Sequence, residues 1–283
     1  MKALRIVGYA LGGIAALALV GIITVYILSE RMLDAHPTPQ MSKLAKPTGA
    51  QLANGARQLS VLGCRGCHGD TLQGEIFLDE PGVATLYAPN LTLVAAKASD
   101  AQLDQAIRQG ISHDGRPLLI MPSEGYQFLT DSEVAALIAA IRATPKGGTA
   151  QPAPSVGPKG RLGLVLGRFS TAPELVAKFR ASPLADFGPQ FARGRHIVQV
   201  NCTECHGPQL QGQQVGDSVS VDLSIAGAYD LDQFRTMLRA GVAPGGRKLG
   251  LMGAVARRDF AHLTDQEIAD IHDYLVERAR RAP

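Results

Sequence analysis

The sequence predicts a mainly α-helical protein in which two similar units follow one N-terminal transmembrane helix. Three observations support this fold class. The first is an uncharged, apolar run of 23 residues near the N-terminus. The second is a set of three sequence blocks that recur in the same order in both halves of the chain. The third is the helical spacing of apolar residues in each copy, without a convincing alternating pattern of the kind that indicates strands.

The composition excludes several classes of protein. Of the 283 residues, 46% are hydrophobic and 19% are charged, so we expect a packed core and not global disorder. The formal net charge of +3 is too small to indicate a nucleic-acid-binding surface, and we expect no nucleic acid partner. All four cysteines lie in two copies of a C-x-x-C-H motif, which leaves none for a disulfide framework.

The N-terminal segment, residues 1–30, is interpreted as a membrane anchor. The apolar run from Ile6 to Leu28 would be about 35 Å long as a helix, which is enough to cross a hydrocarbon core of about 30 Å. Lys2 and Arg5 precede the run, and the positive-inside rule then places the N-terminus in the cytoplasm. A cleaved signal peptide is the alternative, but its apolar region is usually only about 7–15 residues long. We therefore expect a single-pass protein of a bacterial inner (cytoplasmic) membrane that contacts lipid through this helix.

Proline and glycine clusters divide the rest of the chain. Residues 31–41 are predicted to be a tether and residues 42–145 a first compact unit. Residues 146–182 are predicted to be a Pro/Gly-rich linker of extended or flexible character. Within this linker the sequence favours a short helix capped by Thr171. The second compact unit is predicted at residues 183–283.

The two units match each other block by block. The stretch "CHGDTLQGE" of the first unit corresponds to "CHGPQLQGQ" of the second. Likewise "IRQGISHDGRPLLIM" corresponds to "LRAGVAPGGRKLGLM", and "LTDSEVAALIAAIR" to "LTDQEIADIHDYLVER". The C-x-x-C-H copies lie 138 residues apart, so the pattern indicates a duplicated domain and not a short-period repeat.

Each unit carries one C-x-x-C-H motif, which is the signal for c-type haem attachment. The residues are Cys64, Cys67, His68, Cys202, Cys205 and His206. Two thiols three positions apart at the start of a helix can reach the two vinyl groups on one edge of a porphyrin. The adjacent histidine can then supply one axial nitrogen to the iron. The motifs therefore predict two covalently bound haems c, with His68 and His206 as axial ligands.

The motif by itself is also compatible with two other functions of paired cysteines, a redox dithiol and a structural zinc site. A redox dithiol of the thioredoxin type would need a strand–helix context, whereas helices and glycine loops surround these motifs. A structural zinc site would need two C-x-x-C pairs brought together, or one pair with histidines at ligand spacing. Because the pairs lie in separate units and each already has its own histidine, haem is the favoured interpretation.

A low-spin haem that carries electrons needs a sixth ligand, and methionine is the usual one where the potential is raised. Of six methionines, only Met121 and Met252 lie at equivalent places in the repeat, 53 and 46 residues after their histidines. Met237 is expected to pack on the apolar face of its helix. His113, in the loop before Met121, is the main rival ligand, but its counterpart in the second unit is Ala243.

Three phrases of the first unit, "APNLT", "IRQGISHDGRPLLIMPS" and "LTDSEVAALIAAIR", resemble those of class I cytochrome c domains. The chain is similar to the membrane-anchored multihaem cytochrome c subunits that work with periplasmic dehydrogenases. The likeness is stronger in the first unit than in the second, although Ala140 replaces the usual aromatic residue that the second unit has at Tyr274. The resemblance implies two tandem cytochrome c domains that face the periplasm. It also implies that the carbonyl group of Pro89 orients His68.

Electron transfer is the favoured function. We expect a dihaem c-type cytochrome that is not itself an enzyme and relays single electrons. One redox partner would be a periplasmic protein, expected to be a dehydrogenase. The other partner would be the membrane respiratory chain or a terminal oxidase. The main alternative is a dihaem enzyme such as a peroxidase, which needs an iron with an open position. A thiosulfate-oxidising enzyme with a cysteine ligand and a structural or assembly subunit are further alternatives.

Overall fold

The computed structural model of the chain describes residues 2–40, 42–216 and 218–281. The predicted boundaries at Met1, Met41 and Pro283 lie outside the described residues. The described part is mainly helical, as the sequence predicts. It consists of a long N-terminal helix, two units that share a common plan, and a connecting segment that packs against the first unit.

Helix α1 (Lys2–Leu33) contains the apolar run. Its most apolar window has a mean hydropathy of 2.4, and none of that window is buried against the rest of the chain. By length and composition the helix could cross a membrane, and a signal sequence near an N-terminus would have the same properties. The helix therefore agrees with the predicted anchor without distinguishing it from a signal sequence.

The first unit is organised around two crossing helices, α2 (Gly49–Val61) and α7 (Asp131–Ala143). The elements between them are α3 (Cys64–His68), β1 (Glu75–Glu80), β2 (Ala84–Ala88), α4 (Leu91–Val94), α5 (Asp100–Gln109) and α6 (Ser123–Tyr126). Gly55 is the contact point of the crossing, since a Cβ atom there would lie 2.3 Å from the carbonyl oxygen of Ala136. Only glycine allows this close approach of the two backbones.

A small antiparallel sheet is the main element that the sequence did not predict. β1 pairs with β2, and β2 pairs in turn with β3 (Ser155–Val156). Most of β1 is exposed, so its side chains lack the apolar alternation that indicates a half-buried strand. β2 does alternate, with buried residues at every second position, but it is only five residues long.

The predicted linker is packed rather than free. β3 joins the sheet of the first unit, and the side-chain amide of Asn90 donates hydrogen bonds to the carbonyl groups of Gly147 and Thr149. Two helices follow, α8 (Pro158–Val165) and α9 (Ala172–Arg180). The expectation of flexible character is therefore wrong for these stretches, because backbone pairing and a buried asparagine hold them against the first unit.

The sequence-predicted cap at Thr171 begins α9. Its side chain forms a capping box with Glu174. The helix then packs over the loop that carries Met121, because the Ala172 amide donates to the Leu118 carbonyl at 2.8 Å. The Gln127 side chain also donates to the carbonyl of Val176 at 3.0 Å. The linker thus forms a second layer over this loop.

The second unit repeats the same plan. Its helices and strands are α10 (Ala192–Asn201), α11 (Thr203–His206), β4 (Gln214–Val215), β5 (Ser218–Val219), α12 (Leu231–Ala240), α13 (Gly250–Arg258) and α14 (Asp265–Arg281). Short 3-10 turns lie at Pro189–Phe191, Leu223–Ala228 and Phe260–His262. Gly194 is the crossing point here, with the Asp270 carbonyl oxygen 2.0 Å from where a Cβ would lie. Glycines Gly110 and Gly241 end α5 and α12 in the left-handed conformation, as their positions in the sequence predict.

The two helix crossings differ in how well the space beside them is filled, because a tyrosine in the second unit is an alanine in the first. In the second unit Tyr274 is fully buried, and its hydroxyl group donates to the Ala185 carbonyl at 3.0 Å. In the first unit Ala140 stands at this place and lines a cavity of about 540 Å³ with Ala139 and Ala143. The smaller side chain leaves this space unfilled, so the departure noted in the sequence has a direct structural counterpart.

Each unit buries one of its valines in the core of the other unit, and we call Val61 and Val200 the exchanged valines. Val61, at the end of α2, is 2% exposed and belongs to the core of the second unit. Val200, near the end of α10, is 4% exposed and belongs to the core of the first unit. The two valines occupy equivalent positions, six residues after the crossing glycines Gly55 and Gly194, and each lies within three residues of its C-x-x-C-H motif. The contact therefore has approximate two-fold symmetry, as in an isologous dimer.

Two side-chain contacts to glutamates follow the same symmetry. Arg57 donates to both carboxylate oxygens of Glu267 at 2.8 Å, and the His196 ring nitrogen Nε2 lies 2.9 Å from a Glu133 carboxylate oxygen. Glu133 and Glu267 are equivalent capping residues in the first turns of α7 and α14. Burial acts to raise the pKa of both glutamates, but their hydrogen bonds outweigh it and hold each pKa below its usual value. Both carboxylates are thus held in the charged form.

Replacing Arg57 by methionine tests this interface. The variant Arg57→Met leaves the nearly buried Glu267 carboxylate without its bidentate partner, and we expect the free energy of unfolding to fall by about 2 kcal/mol. Urea unfolding of the full chain in detergent measures the change. The exposed pair of Arg116 with Asp114 provides the control, because Arg116→Ala should change the unfolding free energy by less than about 0.5 kcal/mol. Equal effects of the two substitutions would contradict the interface.

Candidate haem-attachment sites

The first C-x-x-C-H motif forms a helix of one turn. Gly63 takes the left-handed conformation with φ +69° and separates α2 from α3, which contains the whole motif. Cys64 and Cys67 are free thiols, and one turn of helix brings them to the same face. Burial, followed by the neighbouring Cys67, raises the pKa of Cys64 to about 12. Dithiols of the thioredoxin type depend on a lowered thiol pKa, so this environment argues against that alternative.

The ring of His68 is held by a hydrogen bond to Pro89. His68 is only 6% exposed, and its Nδ1 lies 2.8 Å from the Pro89 carbonyl oxygen. Because a carbonyl oxygen can only accept, Nδ1 carries the hydrogen and Nε2 is left with a free lone pair. Burial lowers the pKa of His68, against the opposing effect of the bond to Pro89, and so favours a neutral ring. A neutral imidazole whose other nitrogen donates to a carbonyl group is the usual state of a histidine ligand.

The loop around Pro89 explains why this carbonyl is in place. Asn90, which is 2% exposed, accepts hydrogen bonds from the amides of Thr92 and Leu93 and begins α4. The Leu91 amide donates to the carbonyl of Leu72 at 2.8 Å. Leu72 itself is fully buried at φ +58°, a conformation that is unusual for any residue other than glycine. The buried contacts therefore fix the strand end that carries Pro89.

The second motif is built in the same way. The His206 Nδ1 lies 2.8 Å from the Val221 carbonyl oxygen, and the ring is 8% exposed. Leu210, at φ +61° and fully buried, accepts a hydrogen bond from the Leu223 amide at 2.9 Å. Among the described residues, Leu72 and Leu210 are the non-glycine residues with positive φ. The second unit thus reproduces the histidine support of the first although valine replaces proline.

The cysteines of the second motif are also neutral thiols. Burial raises the pKa of Cys202 and of Cys205 to about 12 in each case. For Cys202 the second cause is Cys205, and for Cys205 it is the neighbouring Glu204. Within the described residues, no three His, Cys, Asp or Glu side chains are grouped in a way that could hold a bare metal ion.

The two predicted methionines lie in different local structures. Met121 lies in the loop between α5 and α6 and packs against the core of the first unit, half-buried. Met252 lies in the first turn of α13 and packs against the core of the second unit. Met237, on α12, also packs against this core, which is the role that the sequence predicts for it. His113 is exposed on its loop.

Residues of one unit lie beside the motif of the other, which could not be predicted from the sequence: the Arg258 guanidinium lies 3.4 Å from the carbonyl oxygen of Gly66 in the first motif. Burial is the largest cause of the raised pKa of Cys67 in the first motif, and the charge of Glu204 in the second motif is the next largest. Glu124, on α6 of the first unit, acts in the same way on Cys205. Asp259, which is 4% exposed, lies close enough to influence Cys67 as well. The two motifs therefore face the same interface between the units.

A buried and an exposed acidic side chain lie at this interface. Glu124 is 5% exposed, and burial raises its pKa to about 7. Glu204 is exposed, so its carboxylate stays in contact with solvent. Asp259 is paired with Arg258 at 2.8 Å. The Arg258 guanidinium lies over the first motif, since a Cβ atom on Gly66 would be 2.1 Å from it. Glu204 occupies a variable position of the second motif, and Glu124, Arg258 and Asp259 belong to no motif, so only the folded structure identifies this group.

The residues present fit covalent haem c. Each motif offers two unbridged thiols one helical turn apart and a neutral histidine with a free Nε2. The thiols would form the thioether bonds, and the histidine nitrogen would bind the iron. A methionine packed in the same unit is available as the second axial ligand in both cases.

Comparisons with known proteins agree with this donor set. Residues 191–279 match the model of the cytochrome c family. The chain is 25% identical over 266 aligned positions to the cytochrome c subunits of quinone alcohol dehydrogenases from Gluconacetobacter polyoxogenes and Komagataeibacter europaeus. These matches cover 80% of this chain and 55% of each relative, so the chain spans about half their length. It is also 30% identical over 188 positions to a subunit of the nicotinate dehydrogenase from Pseudomonas putida, covering 60% of this chain and 15% of that protein.

The family match lies in the second unit, whereas the sequence phrases indicated a closer likeness in the first. The filled helix crossing around Tyr274 is one feature that the second unit has and the first lacks. The match of residues 191–279 to the cytochrome c family implies covalently bound haem c in this domain. Residues 191–279 thus form a cytochrome c domain, in a chain that is homologous to the cytochrome c subunits of dehydrogenases.

Proposed function

We propose that this chain is a dihaem c-type cytochrome that relays single electrons between a dehydrogenase and the membrane respiratory chain or a terminal oxidase. The observation that carries the proposal is the repeated histidine support. In both units a motif histidine donates through Nδ1 to a backbone carbonyl at 2.8 Å, and Nε2 is left free. The first unit matches the second in this detail, which supports a second cytochrome c domain at residues 42–145.

The proposal assigns each ligand by residue. Haem c would be attached covalently to the motif cysteines, and its iron would be bound by a histidine and a methionine from the same unit. The set is Cys64, Cys67, His68 and Met121 in the first unit and Cys202, Cys205, His206 and Met252 in the second. Pro89 and Val221 orient the two histidines. When bound, each haem supplies a one-electron redox centre, and two axial ligands from the protein leave no position for a substrate.

The surrounding protein would place the two centres close together. The motifs lie on either side of one interface, and the exchanged valines Val61 and Val200 keep that interface closed. A fixed separation between the centres suits an electron relay, because neither unit needs to move during transfer. The helix α1 would hold both units at the outer face of the cytoplasmic membrane, where a periplasmic dehydrogenase can reach them.

Counting haems tests the number of sites. We expect two haems per purified chain by the pyridine haemochrome assay. Cys64→Ala with Cys67→Ala, and separately Cys202→Ala with Cys205→Ala, should each reduce this number to one, because each pair anchors one haem. A wild-type chain with a single haem, or a paired variant that still carries two, would contradict the proposal.

Replacing the methionines tests the axial ligands. Met121→Ala and Met252→Ala should each remove about half of the absorption that arises from ferric iron bound to methionine sulfur. Met237→Leu is the matched control, since Met237 packs against the same core as Met252 and should leave this absorption unchanged. If either alanine variant kept the full band, the assignment of that methionine would be wrong. Peroxide turnover by the wild-type chain that the alanine variants abolish would favour a peroxidase instead.

Recovery of the native complex tests the partner. Affinity purification of the full chain from gently solubilised membranes should recover a dehydrogenase. Its substrate should then reduce both haems of the wild-type complex. In the paired variant Cys202→Ala with Cys205→Ala, reduction should be limited to one haem. Purification of the chain alone, with haems that no dehydrogenase substrate reduces, would contradict a dehydrogenase partner.

A further inference from the structure

We propose that a short apolar surface on the connecting segment, formed by Leu162, Leu166 and Phe169, rests in the lipid headgroup region of the membrane that α1 enters. It would fix the orientation of the first unit on the bilayer. This inference rests on the proposed function in one respect, namely that α1 is retained as the anchor. The occupant of the surface is the lipid bilayer itself.

An arginine clamps α8 to the C-terminal part of α1. The Arg161 guanidinium donates to the Ser29 hydroxyl at 3.0 Å and to the Glu30 carboxylate at 2.7 Å. It also lies 4.9 Å from the centre of the Tyr26 ring, in a cation–π contact. Ser29 is fully buried by this packing, whereas the large apolar side chains that precede it on α1 are exposed. α8 therefore lies against α1 at the point where its apolar surface ends.

The opposite side of α8 is held by the first unit. A Cβ atom on Gly160 would lie 2.2 Å from the carbonyl oxygen of Val83, so α8 touches the turn of the β1–β2 hairpin directly. Leu164 is 1% exposed. With contacts to α1 and to the hairpin, α8 connects the anchor rigidly to the first unit.

The remaining face of this segment is apolar and open. Leu162 is 44% exposed, Leu166 is 61% exposed and Phe169 is 40% exposed. Leu162 and Leu166 are one helical turn apart, and the Phe169 ring lies against Gly163, 2.5 Å from where a Cβ would be. The three side chains thus form one surface. Isolated exposed apolar residues are common, but a continuous group beside a candidate membrane helix indicates a binding surface.

The depth of this surface matches the lipid headgroups. Arg161 contacts Tyr26 and Glu30, which lie where the apolar part of α1 ends. At 1.5 Å per residue, Leu166 lies within about 8 Å of Arg161 along α8. Each headgroup region is itself roughly 5–8 Å thick. Tyrosine is enriched at this level of membrane proteins, and the exposed Arg168 can attract anionic lipid.

The tether adds a second restraint between α1 and the first unit. The Gln40 amide donates to the Gln109 side chain at 2.7 Å, and that side chain donates back to the Gln40 carbonyl at 2.6 Å. The chain is therefore attached to the first unit at Gln40, seven residues after the end of α1. Together with the clamp at Arg161, this leaves the first unit little freedom to swing, and the apolar surface would rest on the bilayer in one orientation.

Spin labelling of the full chain tests the proposal. The Leu166→Cys variant, labelled with a nitroxide, is placed in nanodiscs of phosphatidylcholine and phosphatidylglycerol with both haems reduced. Haem-bound motif cysteines would not react with the label, and haem absorption is measured before labelling. Oxygen concentrates in lipid, whereas a nickel chelate stays in water. We expect oxygen to relax the label at position 166 more than the chelate does. A label at Asp232→Cys, an exposed position of the second unit, should show the opposite order.

A second substitution separates lipid contact from local packing. Arg161→Gln removes the clamp and should shift the label at position 166 towards the values measured at position 232. Arg116→Gln, which removes an exposed arginine elsewhere in the first unit, should leave the label unchanged. A label at position 166 that is relaxed mainly by the chelate, in a chain that stays in the nanodisc with its haems, would overturn the proposal. Release of the chain from the nanodisc would also overturn the proposal, because it would show that α1 does not anchor the chain. The haem absorption bands, measured on the same sample, test the proposed electron-transfer function separately.

Discussion

The exchange of Val61 and Val200 is the contact on which the rest of the molecule depends. Each valine lies in the last turn of the first long helix of its own unit and is buried in the core of the other. Separation of the units would expose both side chains, and burial of a valine contributes about 2 kcal/mol. Arg57 and His196, on the same two helices, add charged hydrogen bonds to capping glutamates of the opposite unit. The helices therefore hold the two units together as well as forming their cores.

This arrangement also determines where the redox centres would lie. Each C-x-x-C-H motif begins within three residues of an exchanged valine, so the contact that closes the interface positions the motif. The charges at the interface come from both units, with Glu124 and Glu204 acting on Cys205, and Arg258 lying over the first motif. A change of charge at one haem would thus be felt by residues of the other unit. The clamp between α8 and α1 would extend the same rigidity to the membrane.

Much of the helical plan could be predicted from local sequence. The capping boxes that begin α7 and α9 and the glycines that end α5 and α12 depend on residues within a few positions of each other. The pairing of His68 with Pro89 was accessible only through a family resemblance, because 21 residues separate the two. The sheet was missed because β1 is exposed on most positions and β3 has only two residues. The packing of the linker was missed because a Pro/Gly-rich composition does not reveal a buried partner such as Asn90.

The interface could not be predicted from one sequence at all. Arg57 and Glu267 are 210 residues apart, and on their own helices they are ordinary charged positions. A capping glutamate satisfies its local role whether or not an arginine from another unit binds it. The equivalence of the Arg57–Glu267 and His196–Glu133 contacts becomes visible only when the duplicated sequence is placed on the folded structure. The same holds for the acidic residues that face both motifs.

A reductive titration that counts the electrons taken up by each chain tests the central claim most directly. The purified full chain is reduced stepwise in a spectroelectrochemical cell while the haem absorption and the charge passed are recorded together. Two equivalent ligand sets facing one interface predict an uptake of two electrons per chain, with haem absorption changing throughout. Uptake of a single electron, or haem absorption that saturates after the first, would contradict a dihaem relay.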